Sequence, residues 1–323
     1  MPTLKEIKGR IGSVKSTLKI TSAMKLVSSA KLRKAQTATE AMRPYQAQLQ
    51  RMLALVSDAS RTVSANLVLE GAENALSSTD QGVLVREAAK GAVPTVMDGP
   101  DLPSPTAIVA VASNSSLCGG FNANVIAKVR SVRKPGDVVV SIGRKMADAM
   151  RKDGFPSPAD FSSLAEHPAY APAAELVERL AHDLKEGRIG QVLLVYTHFV
   201  STARQVPVVE TLLAAKELPS EAPSVIPSEA LSVIPSEAEG STHIFEPSAK
   251  ELRALLLPKT LKLKLYSALL DSAAAEHAAR TVAMQTATDN GNDLLEELTL
   301  QYNKGRQQKI TNEILDLAGG QQD

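Results

Sequence analysis

The chain contains few of the residues that build most large globular cores, because aromatic side chains make up only 3% of it and tryptophan is absent. Its one cysteine, Cys118, excludes an internal disulfide bond and a cysteine-rich metal site. No apolar run reaches the roughly 18 residues of a membrane-spanning helix, and the amino terminus lacks the apolar stretch of a secretory signal. With a net charge of +1 over 323 residues, the chain as a whole is not a polyanion binder.

What the chain has instead is a long helical pattern at each end. Residues 3–43 contain no proline. Their apolar positions alternate at spacings of four and three residues, which is the pattern of a coiled-coil seam: Ile7, Ile11, Val14 and Leu18. We predict one helix over residues 3–58, bent at Pro44, because a proline ring removes a backbone donor and clashes with the preceding turn.

The second pattern covers residues 259–318, which also contain no proline. Pro258 suits the first helical turn, and the glycine pair at 319–320 suits the end. Helices of this length would reach roughly 84 to 90 Å, too far to be buried within a compact domain. Both have small residues in the middle. The sequence therefore predicts that the two helices pair as one long antiparallel coiled coil.

The middle of the chain has a different pattern, in which short apolar runs alternate with helical segments. This pattern predicts a Rossmann-like α/β domain over residues 106–213 with a parallel sheet. The predicted strands are 106–112, 137–142, 191–197 and 205–213. The fold class is then α/β, with the coiled coil added to the central domain.

Two further segments stand apart from these patterns. Residues 66–105 contain four prolines near their end and are predicted to be irregular. Residues 214–241 hold the motif Ser-Val-Ile-Pro-Ser-Glu-Ala twice, at 224–230 and 232–238, and are predicted to be a disordered insertion, since proline, serine and glutamate oppose packing. The predicted units are listed in chain order: 1–60, 66–105, 106–213, 214–241 and 242–323.

A catalytic residue set is not evident. The five histidines follow no metal-ligand spacing, and a Gly-x-Ser-x-Gly motif is absent. Residues 9–16 resemble a phosphate loop only superficially, because Val14 stands where the second glycine is needed and no strand precedes it. The turn at 113–122 follows a strand and opens a helix, a place where a nucleotide can bind. Without a Gly-x-Gly-x-x-Gly motif, we interpret it as a tight turn, and we expect no cofactor.

The strongest charge feature lies in the first helix. Residues 1–34 hold nine basic residues and one acidic residue. Three interpretations are open: a solvated helix face, a nucleic-acid-binding helix, or a surface for an acidic protein partner. No aromatic residues lie among the basic ones, which disfavours nucleic acid. A long projecting coil suits a protein partner, because complementary charge steers association.

Three stretches closely resemble the γ subunits of F-type ATP synthases. The first is the helical sequence of residues 4–35. The second is Leu-Cys-Gly-Gly-Phe-Asn at 117–122, which is similar to a turn in the family's central domain. The third comprises 276–290 and 302–316, which resemble the family's carboxyl-terminal helix. The turn departs from the family at 114–116, where this chain has Asn-Ser-Ser.

The resemblance implies a rotor shaft that is not an enzyme on its own. The terminal helices would turn inside a head of α and β subunits, and the central domain would contact the ε subunit and the membrane ring of c subunits. Proton flow would drive rotation, and membrane contact would occur only through the complex, at the cytoplasmic face of a bacterial inner membrane. The implied partner contacts are Met24, Lys25, Arg306, Gln307, Thr311 and Glu313.

Two alternatives to the rotor remain at this stage. A nucleotide-dependent α/β enzyme with coiled-coil arms would need a phosphate-binding motif after a strand. A basic coiled-coil nucleic-acid binder would show salt-dependent DNA binding.

Overall fold

Two long helices and a small four-stranded domain make up the computed structural model, which describes residues 3–77, 105–214 and 248–319. The elements in chain order are α1 Leu4–Ser77, β1 Thr106–Val111, α2 Phe121–Val132, β2 Val138–Ile142, α3 Arg144–Lys152, α4 Ser162–Glu166, α5 Tyr170–Lys185, β3 Gln191–Phe199, β4 Gln205–Ala214 and α6 Ala249–Gly319. Among the described residues, no helix has both the length and the apolar character that crossing a membrane requires.

α1 and α6, here called the helix pair, run antiparallel. Leu4 lies beside Gly305, and Leu18 beside Gly291. Further along, the hydroxyls of Thr21 and Thr288 are 3.0 Å apart. Residue numbers rise on one helix as they fall on the other. The predicted antiparallel coiled coil is confirmed.

Small side chains line the middle of the helix pair, as the sequence predicted. Ala274 and Ala278 of α6 are buried and pack with Leu32 of α1. Ser28 of α1 is buried as well. In contrast, several apolar residues of the α6 pattern are exposed, including Val282, Leu294, Ile310 and Ile314. The pair therefore leaves part of its apolar surface uncovered.

Polar side chains cap the amino termini of both long helices. α1 has both reciprocal hydrogen bonds of a capping box, and α6 has one of them. At α1, the Thr3 amide donates to Glu6 Oε2 at 3.0 Å and the Glu6 amide donates to Thr3 Oγ1 at 3.3 Å. At α6, the Glu251 amide donates to Ser248 Oγ at 3.2 Å. These bonds satisfy amides that the first turn of a helix leaves without partners.

The helices are longer than predicted. α1 passes through Pro44 and ends at Ser77 rather than at 58, so residues 66–77, which were predicted to be irregular, are helical. No proline occurs between 45 and 77 to stop the helix. α6 begins at Ala249, so Pro258 lies inside it rather than in its first turn. Burial of Leu256 and Leu257 beside the proline stabilises the helix there.

Some predictions lie outside the described residues or stay untested. The remainder of the segment at 66–105, from 78 to 104, lies outside the described part of the chain, as does the repeat within 214–241. The bend at Pro44 and the division into five units stay predictions.

The sheet has the order β2-β1-β3-β4. β1 pairs in parallel with both β2 and β3, as predicted. β4 pairs antiparallel with β3, so the prediction of an entirely parallel sheet was wrong. The short turn from Val200 to Arg204 explains the difference, because a parallel connection needs a crossover of about a dozen residues.

The sheet is covered on both faces. One face packs on α5 and on the first half of α6, where Leu265 and Leu269 are buried. The other face packs under α2 and α3, around Val125 and Met146. Because α6 belongs both to the helix pair and to the domain core, it joins the two parts of the molecule.

Candidate functional site

The helix pair is fastened to the central domain at the carboxyl edge of the parallel strands. Arg280 of α6 reaches the loop between β1 and α2, where its guanidinium donates to the Ser116 carbonyl at 2.7 Å and to Ser115 Oγ at 3.0 Å. It also donates to Glu276 Oε1 at 2.6 Å, one helical turn away. Arg280 and Glu276 are each only 9% exposed.

Burial and charge act in opposite directions on this ion pair. Burial raises the pKa of Glu276, while the hydrogen bond from Arg280 lowers it. Removing one partner of such a pair leaves an uncompensated buried charge, which is more costly than losing an exposed pair. Arg280 therefore connects the loop to α6, and its ion pair with Glu276 orients the guanidinium for these contacts.

A second link lies at the end of β3. Asp271 of α6 accepts a hydrogen bond from the Phe199 amide at 3.2 Å and lies 2.5 Å from His198 Nδ1. The Asp271 side chain is 11% exposed and that of His198 46%. Asp271 and Arg280 are nine residues apart on α6, about two and a half helical turns, and together the two links attach the central domain to the helix pair.

A half-open cavity of about 490 Å³ separates α1 from the central domain beside these links. Lys31 of α1, Arg144 of α3 and Arg280 bring positive charge to it, and Glu166 and Glu276 bring negative charge. His277 also lines the cavity, and its Nδ1 has no hydrogen-bond partner among the described residues. Burial, followed by the charges of Lys31 and Arg280, lowers the pKa of His277 to about 4. This histidine is therefore neutral at neutral pH.

The six predicted contact residues form two separate groups. Met24 is half-buried and lines the large cavity, with Lys25 next to it, also half-buried. The other four are exposed near the carboxyl end of α6: Arg306, Gln307, Thr311 and Glu313. In the observed register Met24 lies across from about residue 285, so the groups are roughly 30 Å apart along the axis.

In the second group the contacts described lie within α6. Thr311 Oγ1 donates to the Gln307 carbonyl at 2.9 Å. Glu313 lies 3.5 Å from Lys309. A single exposed pair of this kind contributes little to stability. These side chains are therefore available to a partner.

Sequence reasoning missed the residues that join the two parts of the molecule. Glu276 and Arg280 lie within a stretch quoted for its family resemblance, and their four-residue spacing was a usable signal. Asp271 and His198 gave no sequence signal of their contact, because they are 73 residues apart in the chain.

The structure also brings together a trio that the sequence did not suggest. His182, Asp183 and Glu186 place their ligand atoms within 4.8 Å of one another near the end of α5. Arg188 lies 2.5 Å from both carboxylates. Because the Arg188 guanidinium already pairs with both carboxylates, we interpret the trio as part of an ion-pair cluster.

Comparison with known proteins gives a consistent result over nearly the whole chain. A family model described as ATP synthase matches residues 3–322. The ATP synthase gamma chain of Phocaeicola vulgatus is 42% identical over 327 residues, covering 99% of both chains. That of Flavobacterium johnsoniae is 37% identical, covering 99% of this chain and 98% of the relative.

The chain belongs to the ATP synthase gamma-chain family.

Solved structures agree with this family fold. A chain in the mitochondrial ATP synthase of Euglena gracilis aligns with a TM-score of 0.62 at 17% identity, covering 98% of this chain and 93% of that chain. A chain from the central stalk and c-ring of the Tetrahymena thermophila enzyme aligns with a TM-score of 0.52 at 18% identity, covering 83% of this chain and 99% of that chain. The family match covers more of this chain than the three stretches that first suggested the family.

Proposed function

We propose that this chain is the rotating central shaft of a proton-translocating ATP synthase. The helix pair turns inside a head of α and β subunits. The central domain lies below the head, where it contacts the ε subunit and the ring of c subunits. Catalysis belongs to the head, and this chain transmits rotation without performing chemistry itself. It is held peripherally at the cytoplasmic face of a bacterial inner membrane through the complex.

One observation supports this function most directly: the helix pair extends well past the central domain and leaves apolar side chains exposed there. Past Ala283, which lies against the turn before α2, α6 continues for roughly 50 Å. On this extension, Leu300 is 70% exposed and Leu315 62%. Exposed apolar side chains on a projecting element mark a surface that a partner covers.

The charge distribution supports the same arrangement. In residues 1–34, eight of the nine basic side chains are exposed along α1, so the projecting part of the helix pair presents positive charge. An acidic surface on the surrounding head would attract it at any rotational angle, since charge attraction needs no fixed side-chain geometry. The basic helix therefore suits a partner that is met repeatedly during rotation.

Single-molecule rotation of the assembled complex tests the proposal. The complex is attached to glass through its head, and a bead is bound to this chain through Lys134→Cys, on an exposed loop of the central domain. Native Cys118 is buried and does not compete for the label. We expect unidirectional rotation of the bead with ATP.

Two results would contradict the proposal. One is ATP hydrolysis by the purified chain free of α and β subunits. The other is a complex that hydrolyses ATP while the labelled chain stays still.

We further propose that Met24, Lys25 and the group of Arg306, Gln307, Thr311 and Glu313 contact the head. Met24→Lys adds a cation to a cavity whose charged side chains are Lys31, Arg144, Arg280, Glu166 and Glu276. In the proposed contact, the new cation would also face an acidic surface of the head. The added attraction would favour one rotational position, and each 1.4 kcal/mol of trapping slows escape about tenfold.

We therefore expect Met24→Lys to reduce ATP-driven proton pumping more than Lys25→Ala, with the complex still assembled. Loss of one charge from a side chain that is not fully buried, such as that of Lys25, changes binding by only about 0.2 to 1 kcal/mol. Proton pumping and ATP hydrolysis are measured on both complexes. Equal effects would remove Met24 from the proposed contact surface.

A further inference from the structure

A second, smaller cavity lies between the amino terminus of α2 and the middle of α6. Its volume is about 190 Å³. Gly119 and Gly120 line it from the turn after β1, Thr197 from β3, and Ala279 and Ala283 from α6. The cavity is separate from the large one that contains Met24 and His277, because the two share no lining residue.

The sheet topology places this cavity where open α/β sheets bind ligands. From β1 the chain passes to β2 on one side and then to β3 on the other side of β1. The connections therefore leave in opposite directions beside β1, and the crevice outside the carboxyl ends of such strands is the usual ligand position. The cavity occupies this crevice.

The amino terminus of α2 lies beside the cavity, and its first turn has backbone amides for which the helix provides no acceptor. Its capping residue, Gly120, offers no side-chain oxygen to the first turn. The Phe121 amide donates to the Cys118 carbonyl at 3.3 Å, and the Asn124 amide to the Gly120 carbonyl at 2.9 Å. The amides of Asn122 and Ala123 belong to the same first turn, where a helix provides no acceptor. These two residues adjoin the residues that line the cavity but are not among them. The helix dipole adds a partial positive charge.

An independent observation on β3 also points to a ligand. Thr197 is only 3% exposed, and its Oγ1 has no hydrogen-bond partner among the described residues. Val195, two residues earlier and hence on the same face of the strand, packs with Val125 of α2. The Thr197 side chain is thus directed to the α2 side, at the cavity. An acceptor bound there would satisfy a hydroxyl that is otherwise buried without a partner.

We propose that this cavity binds a small inorganic oxyanion, with the α2 amides and the Thr197 hydroxyl as donors. At about 190 Å³ the cavity is smaller than the roughly 300 Å³ at which drug-sized sites begin, so a nucleotide does not fit. Its lining residues carry no charged side chain. A tetrahedral oxyanion held by neutral donors is the chemistry that matches this size and donor set.

The site also has a structural consequence. Because Ala279 and Ala283 of α6 form one wall, a bound anion would contact both the central domain and the helix pair. Binding would stabilise the junction between them. This inference does not depend on the rotary function proposed above.

Inorganic phosphate binding to the purified full-length chain tests the proposal. Thermal midpoints and amide hydrogen exchange are measured against phosphate, with potassium chloride at equal ionic strength as the reference. We expect phosphate to raise the midpoint, because a ligand that binds only the folded state stabilises it. We also expect exchange to slow selectively at residues 119–124.

Two matched variants assign the effect to the cavity. Thr197→Val keeps the side-chain shape but removes the hydroxyl, and we expect its phosphate affinity to fall at least tenfold. Ser141→Ala is the control: Ser141 is also buried with an unpartnered hydroxyl in the same sheet, and it does not line the cavity. We expect its affinity to equal that of the unmodified chain.

The inference is overturned if phosphate acts no differently from chloride, or if Thr197→Val binds phosphate as tightly as Ser141→Ala does. If Thr197→Val itself fails to fold, Gly120→Ala replaces it. The Gly120 backbone, at φ −79°, accepts alanine, and the new methyl group lies 3.4 Å from Asn124 Nδ2 at the cavity wall. Unchanged phosphate affinity in this variant would also overturn the proposal.

Discussion

His277 faces charge from every element packed around it. Lys31 approaches from α1, Arg144 from α3 and Glu166 from α4, while Glu276 and Arg280 lie on its own helix. Burial contributes most to the lowering of its pKa to about 4. In the unfolded chain the same side chain has a pKa near its ordinary value of about 6.5.

This difference makes the stability of the fold depend on pH. Above about pH 6.5 the histidine is neutral in both states. As the pH falls from there towards about 4, the unfolded chain takes up a proton that the folded chain does not. Stability is therefore complete above the unfolded pKa and is lost as the pH falls through this window, by on the order of 2 kcal/mol after allowance for solvent screening.

His277→Gln removes the titrating group, so we expect the variant to lose less stability than the unmodified chain between about pH 6.5 and 4. Urea unfolding midpoints of the two chains across this range provide the measurement. Parallel pH curves would mean that His277 is already protonated in the folded state or is neutral in both states.

At the scale of single elements, the helix pair is packed unevenly along its length. A Cβ added at Gly291 would lie 2.7 Å from Leu18 Cδ2, whereas a Cβ at Gly12 would meet nothing within 4 Å. The helices are thus in close contact at Gly291. Gly12 is exposed on α1.

Alanine substitution should change the stability of the fold differently at these two glycines. Gly12→Ala should raise helix stability by about 0.5 to 1 kcal/mol through lower backbone entropy in the unfolded state. At Gly291 the same gain is offset by displacement of Leu18, which costs about 1 to 3 kcal/mol. We expect Gly291→Ala to unfold at least about 1 kcal/mol more easily than Gly12→Ala, as measured by urea denaturation.

A further variant identifies the cause. Adding Leu18→Ala to Gly291→Ala should cost less than the two single changes together, because the smaller side chain makes room for the methyl group. Strict additivity would show that Gly291 and Leu18 do not compete for space.

The elements differ in how well the sequence predicted them. β1 to β4 were found within about two residues, because each is a short apolar run between turns. The start of α6 was missed, although Ser248 and Glu251 form part of a capping motif there. Pro258 was taken to mark the start, since proline normally opens a helix. In this chain, the packing of Leu256 and Leu257 beside Pro258 outweighs the preference of proline for the first helical turn.

The whole molecule was predictable in outline because its two long helical patterns have matched lengths and the middle has strand periodicity. The junction between the helix pair and the central domain could not be predicted in this way. Arg280 and Asp271 act across sequence separations of 164 and 73 residues, and single-sequence periodicity carries no information about such pairs. The unpartnered Thr197 hydroxyl likewise becomes visible only when the neighbouring elements are in place.

If the helix pair turns as one body, a covalent link within it should not stop the motor. The Thr21 and Thr288 hydroxyls are 3.0 Å apart, so Thr21→Cys with Thr288→Cys should form a disulfide under oxidation. We expect ATP hydrolysis by the assembled complex to be retained after crosslinking.

Thr21→Cys with Gly305→Cys is the control pair. Gly305 lies beside Leu4, roughly 25 Å along the axis from Thr21, so no intramolecular disulfide should form. Gel mobility reports the crosslink, and ATPase assays report turnover. Loss of turnover on oxidation of the first pair alone would mean that the two helices move relative to each other during the cycle.

The antiparallel register leaves the carboxyl end of α6 without a partner helix among the described parts of the chain. Leu4, the first residue of α1, lies beside Gly305, and α6 continues beyond that point to Gly319. Every side chain described from 306 to 315 is exposed. Isolated helices shorter than about 12 to 15 residues are marginal in water, so the helix–coil equilibrium of this tip depends on its surroundings. The tip should exchange its amide hydrogens freely in the isolated chain and become protected once an enclosing head excludes water from it.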